Sequence, residues 1–248
     1  MPDIPGSRLD AAAVAWFLAA WFCYTRYVQF AARRRRCLTG AMAAWRLRWM
    51  TQLLTRENRI TDASVIANLE RNVSFLASSA LLIVAALLTA LASTGQAVAV
   101  LASLPLADHA SGELWEAKLL LLAVVFIYAF FQFTWSMRQY SFLSILVGAA
   151  PAPTADPGDD EGRRRFIEHA ASVSTLAGFA FNQGLRAYYF ALAVLAWLVN
   201  PVAFMIATSV VVWVLYRREF HSPAVHALAR GLQGVPRLAA GDDARRPG

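Results

Sequence analysis

The residues best placed to do chemistry are three polar side chains at the entrance of one apolar stretch. Asn182, Gln183 and Arg186 open the run 178–199, and Asn182 and Arg186 lie one helical turn apart on the same face. A guanidinium forks onto carboxylates and phosphates. Glu70 is the natural counter-charge, since it lies at the matching depth of an earlier apolar helix, and an Arg186–Glu70 pair would fix how the two helices pack. Alternatively, Arg186, Asn182 and Gln183 bind an anion or a lipid phosphate. Asn72 belongs to the same polar entrance as Glu70 and joins these four as a candidate ligand or pathway residue. Small hydroxyl residues nearby, Ser74 and Ser78, mark either close helix contact or a polar pathway.

Other chemistry has little to stand on. His109, His169, His221 and His226 fall at spacings that suit no zinc site, and neither a nucleotide-binding loop nor a nucleophile elbow is present. Cys23 and Cys37 cannot form a disulfide framework. The expectation is therefore a protein that is not an enzyme, with no cofactor, no metal and no nucleic-acid partner. Arg26, Arg138 and Gln132 also sit within apolar runs or at their ends, where an arginine can snorkel to headgroups.

The elements that would position these residues follow from composition. Of 248 residues, 58% are apolar and 16% charged, far fewer charges than a soluble domain of this size carries. A bilayer core about 30 Å thick needs about 20 apolar residues in a helix. Residues 11–32, 73–91 and 114–135 meet that length, and 178–216 exceeds it. Asn200-Pro201 divides the last stretch, because Asn caps helices and Pro opens them. Two readings follow: spans 178–199 and 201–216 joined as a hairpin, or one long helix kinked at Pro201.

Arginine placement favours the hairpin. Nine arginines fall in 33–72, none in 92–113, and Arg138, Arg163, Arg164 and Arg165 in 136–177. Arginine-rich loops stay in the cytoplasm. Five spans, with the N-terminus outside and the C-terminus cytoplasmic, violate this least. The fold expected is an all-α, polytopic transmembrane bundle occupying 11–228 of an inner-membrane protein. Its ends (1–10 and 229–248) are expected to be disordered, its cytoplasmic loops are 33–72 and 136–177, and a Pro/Gly/Asp-rich linker covers 151–162.

The first cytoplasmic loop has its own periodicity. Trp45, Trp49 and Leu53 repeat every four residues while Arg46, Arg48 and Arg56 face elsewhere. This suits an interfacial helix with Trp45, Trp49, Arg46 and Arg48 in contact with membrane lipids. The same face would serve equally well to pack on the end of the bundle.

Five segments carry a family resemblance: Arg56-Glu57-Asn58-Arg59-Ile60-Thr61-Asp62-Ala63, Asn72 to Ser78, Phe133 to Tyr140, Arg186-Ala187-Tyr188-Tyr189-Phe190 and Tyr216-Arg217-Arg218-Glu219-Phe220. Together they resemble a bacterial and plant family of integral membrane proteins catalogued as domain of unknown function 599. The resemblance covers about 11–220 and implies an all-helical inner-membrane protein without supplying an activity. Two functional classes remain. One is a small transporter or channel-like protein, a homo-oligomer because five helices enclose little space, that binds an anion or headgroup at its cytoplasmic side. The other is a non-transporting scaffold or accessory protein.

Overall fold

Each apolar window forms a helix, and most of these helices continue well past the window. The computed structural model describes residues 5–34, 37–93, 112–153 and 159–232. Among them are seven helices and no strand: α1 (Pro5–Arg34), α2 (Leu38–Leu53), α3 (Ile60–Ala92), α4 (Gly112–Gly148), α5 (Asp160–Trp197), α6 (Pro201–Phe220) and α7 (Pro223–Arg230). Three stretches, Ile60–Ala92, Gly112–Gly148 and Pro201–Arg230, are long and apolar enough to cross a membrane.

Helices α3, α4 and α5 have 33, 37 and 38 residues. At 1.5 Å per residue each runs roughly 50–57 Å, well beyond a hydrocarbon core of about 30 Å. Much of the loops expected at 33–72 and 136–177 is therefore helix. The reason is amphipathicity: Asp62, Ile66, Val73 and Ala77 form a buried stripe on α3, as do Ser136, Tyr140, Leu143 and Val147 on α4. A hydropathy window stops short of them because polar residues interrupt both stretches, Asn68, Glu70 and Arg71 on α3 and Arg138 and Gln139 on α4.

The ends also differ from expectation. Residues 5–10 are helical, and Asp10 is buried where it accepts a hydrogen bond from Trp197 Nε1 (2.5 Å). Residues 160–162 of the expected linker already belong to α5, and 229–230 close α7. The remaining expectations for 1–4, Arg35-Arg36, the loop 94–111, 154–158 and 233–248 lie outside the described residues.

Helix α4 packs between α3 and α5, α5 packs on α6, and α6 on α1, while α2 lies across one end against α5 and α7. Asn200 caps α6 by accepting from the Ala203 amide (2.6 Å), with Pro201 in the first turn. The chain reverses there: Trp197 stacks on Phe204 at 5.2 Å, and Arg218 near the end of α6 donates to the Tyr189 hydroxyl on α5. The kinked single helix is thus excluded, and α5 and α6 form a hairpin. Helices α1 and α6 run parallel, since Trp16 meets Ser209 and Tyr27 meets Phe220.

The core is aromatic and small-residue. Phe17 and Trp21 of α1 enclose Phe190 of α5, with Trp21 and Phe190 stacked at 4.9 Å. Large apolar side chains also cover the outside, among them Phe22, Phe75 (71% exposed), Leu82 (72%), Leu192 and Ile206. Close approach of α4 and α5 depends on Gly184, where an added Cβ would lie 2.5 Å from the Phe133 ring. Gly184→Ala should therefore destabilise the protein by about 1–3 kcal/mol through overpacking, and Phe133→Leu should recover part of that loss. Thermal unfolding in detergent checks both. An unchanged midpoint for Gly184→Ala would contradict this packing.

Candidate functional site

Arg186 lies on the inward face of α5 and is only 5% exposed. Its Nη1 donates to Gln183 Oε1 at 3.4 Å, and its guanidinium carbon sits 5.5 Å from the centroid of the Tyr24 ring on α1. Tyr24 is buried, Tyr128 of α4 is half-buried, and both hydroxyls lie within electrostatic reach of Arg186. The site thus draws on three helices. Among the described residues Arg186 forms no ion pair with a carboxylate. Its direct contacts are an amide oxygen and a ring face, which do not neutralise it, and the carboxylate that acts on the same Tyr24 hydroxyl, Glu219, forms no ion pair with it and accepts from the Thr39 amide.

Gln183 is brought to Arg186 as expected, and Asn182 is half-buried one turn away. Glu70 is not the partner. It accepts a hydrogen bond from Ser141 Oγ at 2.6 Å, binding α3 to α4. Ser141 is 13 residues from Tyr128 on α4, which puts Glu70 roughly 20 Å along the bundle from Arg186. The expected match in depth fails because Glu70 stands three residues before the apolar window 73–91 while Arg186 stands eight residues into 178–199, a difference in level of about 16 Å. Asn72 faces outward and is exposed, so it belongs to no interior set. The contact between α3 and α5 runs instead through the Tyr188 hydroxyl, which donates to the Leu76 carbonyl (2.8 Å).

Helix α2 packs on the bundle rather than presenting its indoles to lipid. Trp45 Nε1 donates to the Leu228 carbonyl (3.2 Å) and Trp49 Nε1 to Asp62 Oδ1 (2.7 Å), while Met50 and Leu53 are fully buried. Asp62 also accepts from Arg56 at 2.5 Å, so one buried carboxylate holds α2, its following turn and α3 together. Arg46 is half-buried against α5, where an added Cβ on Gly178 would meet its Nη2 at 2.2 Å. Burial pulls the Arg46 guanidinium below its ordinary value, and nearby Tyr140 opposes the shift. Of the four residues expected to contact lipid, Arg48 alone is exposed, stacked over the Trp45 ring at 5.2 Å.

Further functional-looking residues had no sequence signal linking them. Lys118, the chain's sole lysine, is 1% exposed, with Nζ 5.6 Å from the centroid of the Trp197 ring that bonds Asp10. Arg59 donates to the carbonyls of Ala150 (2.6 Å) and Pro151 (2.5 Å) just past the end of α4. Glu219, 8% exposed, accepts from the Thr39 amide (2.9 Å) at the start of α2. No group of side chains among the described residues is arranged to hold a metal ion.

A helical bundle with an apolar exterior and three helices long and apolar enough to cross a bilayer is consistent with an α-helical membrane protein. The family model described as "Protein of unknown function, DUF599" matches residues 12–224, and the chain belongs to that family. No curated protein and no solved structure matches the chain.

Cys37 offers a check on the α2 junction. Its thiol accepts from the Gly40 amide (3.4 Å) and is 2% exposed. Burial pushes its pKa up, the Gly40 amide works against this, and Glu219 reinforces it. A raised pKa leaves less thiolate at pH 8. In a Cys23→Ser background, iodoacetamide should label Cys37 far more slowly in the folded protein than in denaturant, and the labelling rate should still be rising above pH 9. Labelling at the same rate folded and denatured would contradict the docking of α2.

Proposed function

We propose that the chain is a multi-pass inner-membrane protein that crosses the bilayer five times and binds an oxyanion at Arg186, entering from the cytoplasm. In this reading it is a small homo-oligomeric transporter or channel-like protein. Helices α1 and α5 are the two spans that composition leaves out. Support for α1 comes from Trp16, Leu18 and Phe22, all exposed on its outer face. Support for α5 comes from Leu192 and Leu195, likewise exposed, and from the fact that Asn182, Gln183 and Arg186 themselves lower its hydropathy. An apolar belt of this extent would be an aggregation surface in water.

Orientation rests on the end where α2 lies. Arg56, Arg59, Arg163, Arg164, Arg165, Arg217 and Arg218 all belong to that end, which the positive-inside tendency assigns to the cytoplasm. The N-terminus of α1 is then outside and α7 inside.

The observation that carries the anion reading is a buried Arg186 with no carboxylate partner among the described residues. An incoming oxyanion would supply the missing charge and accept the guanidinium's remaining donors. Ordinary counter-ion pairing is the usual solution inside a membrane protein, and its absence here favours a ligand over a purely architectural role.

Two measurements test this. Alkaline phosphatase fused after Val199 should be active outside the cytoplasm, and fused after Phe220 it should be inactive. Activity after Phe220 would refute the five-span topology. In liposomes, phosphate or sulfate flux by the native protein should fall roughly tenfold or more in Arg186→Gln, the loss expected when a charge-assisted contact disappears. Native liposomes silent under every anion gradient would instead favour a scaffold or accessory role.

A further inference from the structure

A second guanidinium, that of the half-buried Arg46, also has no carboxylate partner among the described residues. Arg46 is turned toward α5 because the roll of α2 is fixed on either side of it. Trp45 is tied to Leu228 and Trp49 to Asp62, with Met50 and Leu53 buried below. Gly178 leaves the space that the guanidinium occupies, since an added Cβ would fall within 2.2–3.3 Å of three of its atoms. Arg46 makes no hydrogen bond and no ion pair among the described residues.

The walls of that space carry polar groups that also lack partners. Ser174 lies one turn before Gly178 on the same face of α5. It is 1% exposed, and its hydroxyl has no hydrogen-bond partner. Across from it on α4, Tyr140 lies within electrostatic reach of Arg46. Its neighbour Gln139 is 6% exposed with Oε1 unbonded, and a half-turn of the carboxamide would present its N–H groups instead. By contrast, Ser136 is satisfied, donating to the Ala177 carbonyl at 2.7 Å. Ser174 Oγ and Gln139 Oε1 are two of seven buried polar atoms without a partner among the described residues, and Ser174, one turn from Gly178, is the one on the helix face that Arg46 meets.

We propose that Arg46, Ser174 and Tyr140 form a seat for a phosphate-type oxyanion where α2 crosses α5. The seat rests on the anion reading of Arg186 and extends it. Gly178, against which Arg46 packs, and Arg186 are eight residues apart on α5, so their backbone levels differ by roughly 12 Å along the helix. Arg46 lies nearer the arginine-rich end and Arg186 deeper. An oxyanion arriving from the cytoplasm meets Arg46 first. Gln183 and Asn182 lie between the two levels. The ligand is either a free oxyanion or the phosphate of an anionic lipid whose headgroup reaches under α2.

Calorimetry on the full-length protein tests the seat, with inorganic phosphate as the probe in phosphatidylcholine nanodiscs. Arg46→Gln should weaken phosphate binding roughly tenfold and Ser174→Ala severalfold. Gly178→Ala should weaken it while keeping the arginine, because the added methyl displaces the guanidinium. Protection of Cys37 from iodoacetamide, in the Cys23→Ser background, reports whether α2 remains docked in each variant. Replacing part of the phosphatidylcholine with phosphatidylglycerol separates the two sources. Saturable phosphate binding in pure phosphatidylcholine identifies a free oxyanion. Phosphatidylglycerol that is retained through purification by the native protein, and lost by Arg46→Gln, identifies a lipid headgroup. If all three folded variants bind both probes as the native protein does while Arg186→Gln does not, the seat is refuted and the Arg186 reading stands. If Arg186→Gln is also unchanged, both fall.

Discussion

Hydrocarbon offers no hydrogen-bond partner, so a charge carried into a membrane bundle must be satisfied by the bundle itself or by something the bundle binds. Arg186 sets this problem for the whole structure. Its position on α5 requires α1 and α4 to bring Tyr24 and Tyr128 to it rather than aliphatic side chains. Aromatic faces and an amide oxygen soften the cost of burial but leave a full positive charge. The remaining packing is arranged around that residue. Phe190, one turn further along α5, is enclosed by Phe17 and Trp21, and Gly184, half a turn before it, admits the Phe133 ring.

The other end of the bundle treats its charges differently. Asp10, Lys118 and Trp197 are gathered where α1, α4 and α5 meet, all of them buried, with both signs of charge present. The Trp197 indole donates to the carboxylate while its ring faces the ammonium. Mixed charge around a shared aromatic group is self-contained and makes no demand for a ligand. At the α2 end the carboxylates are engaged in architecture. Asp62 holds Trp49 and Arg56, Glu219 holds the start of α2, and Glu70 holds Ser141. None of them is spent on Arg46 or Arg186.

Much of this was legible in the sequence and some of it could not be. The helices, the break at Asn200-Pro201 and the exceptional character of Arg186 beside Gln183 follow from local rules, because capping, apolar length and helical spacing act within a few residues. The Arg186–Glu70 pairing does not form because Glu70 stands before its apolar window and Arg186 well inside the other, so Glu70 reaches Ser141 of α4 below the level of the site. Trp45 and Trp49 illustrate a second limit. A tryptophan stripe reads alike whether it meets headgroups or a neighbouring helix, and only the distant Leu228 and Asp62 decide between them. Tyr24, Tyr128 and Ser174 carried no signal because their neighbours in space are far away along the chain.

The segments that carry the family resemblance gain a common meaning once they are folded. The Arg56 to Ala63 segment supplies Asp62 and Arg59, and the Phe133 to Tyr140 segment supplies Ser136 and Tyr140. Arg186 to Phe190 holds the inner guanidinium together with Tyr189, to which Arg218 of the last segment donates. Glu219 in that segment fixes the start of α2 and so contributes to where Arg46 points. The same segments also hold core residues: Phe190 is enclosed by Phe17 and Trp21, Phe133 packs on Gly184, and Val73 and Ala77 belong to the buried stripe of α3. They therefore join the apolar packing of the bundle to the supports of two guanidinium groups and of the helix that positions one of them, because a charge keeps its place only where the residues beside it are themselves fixed by packing.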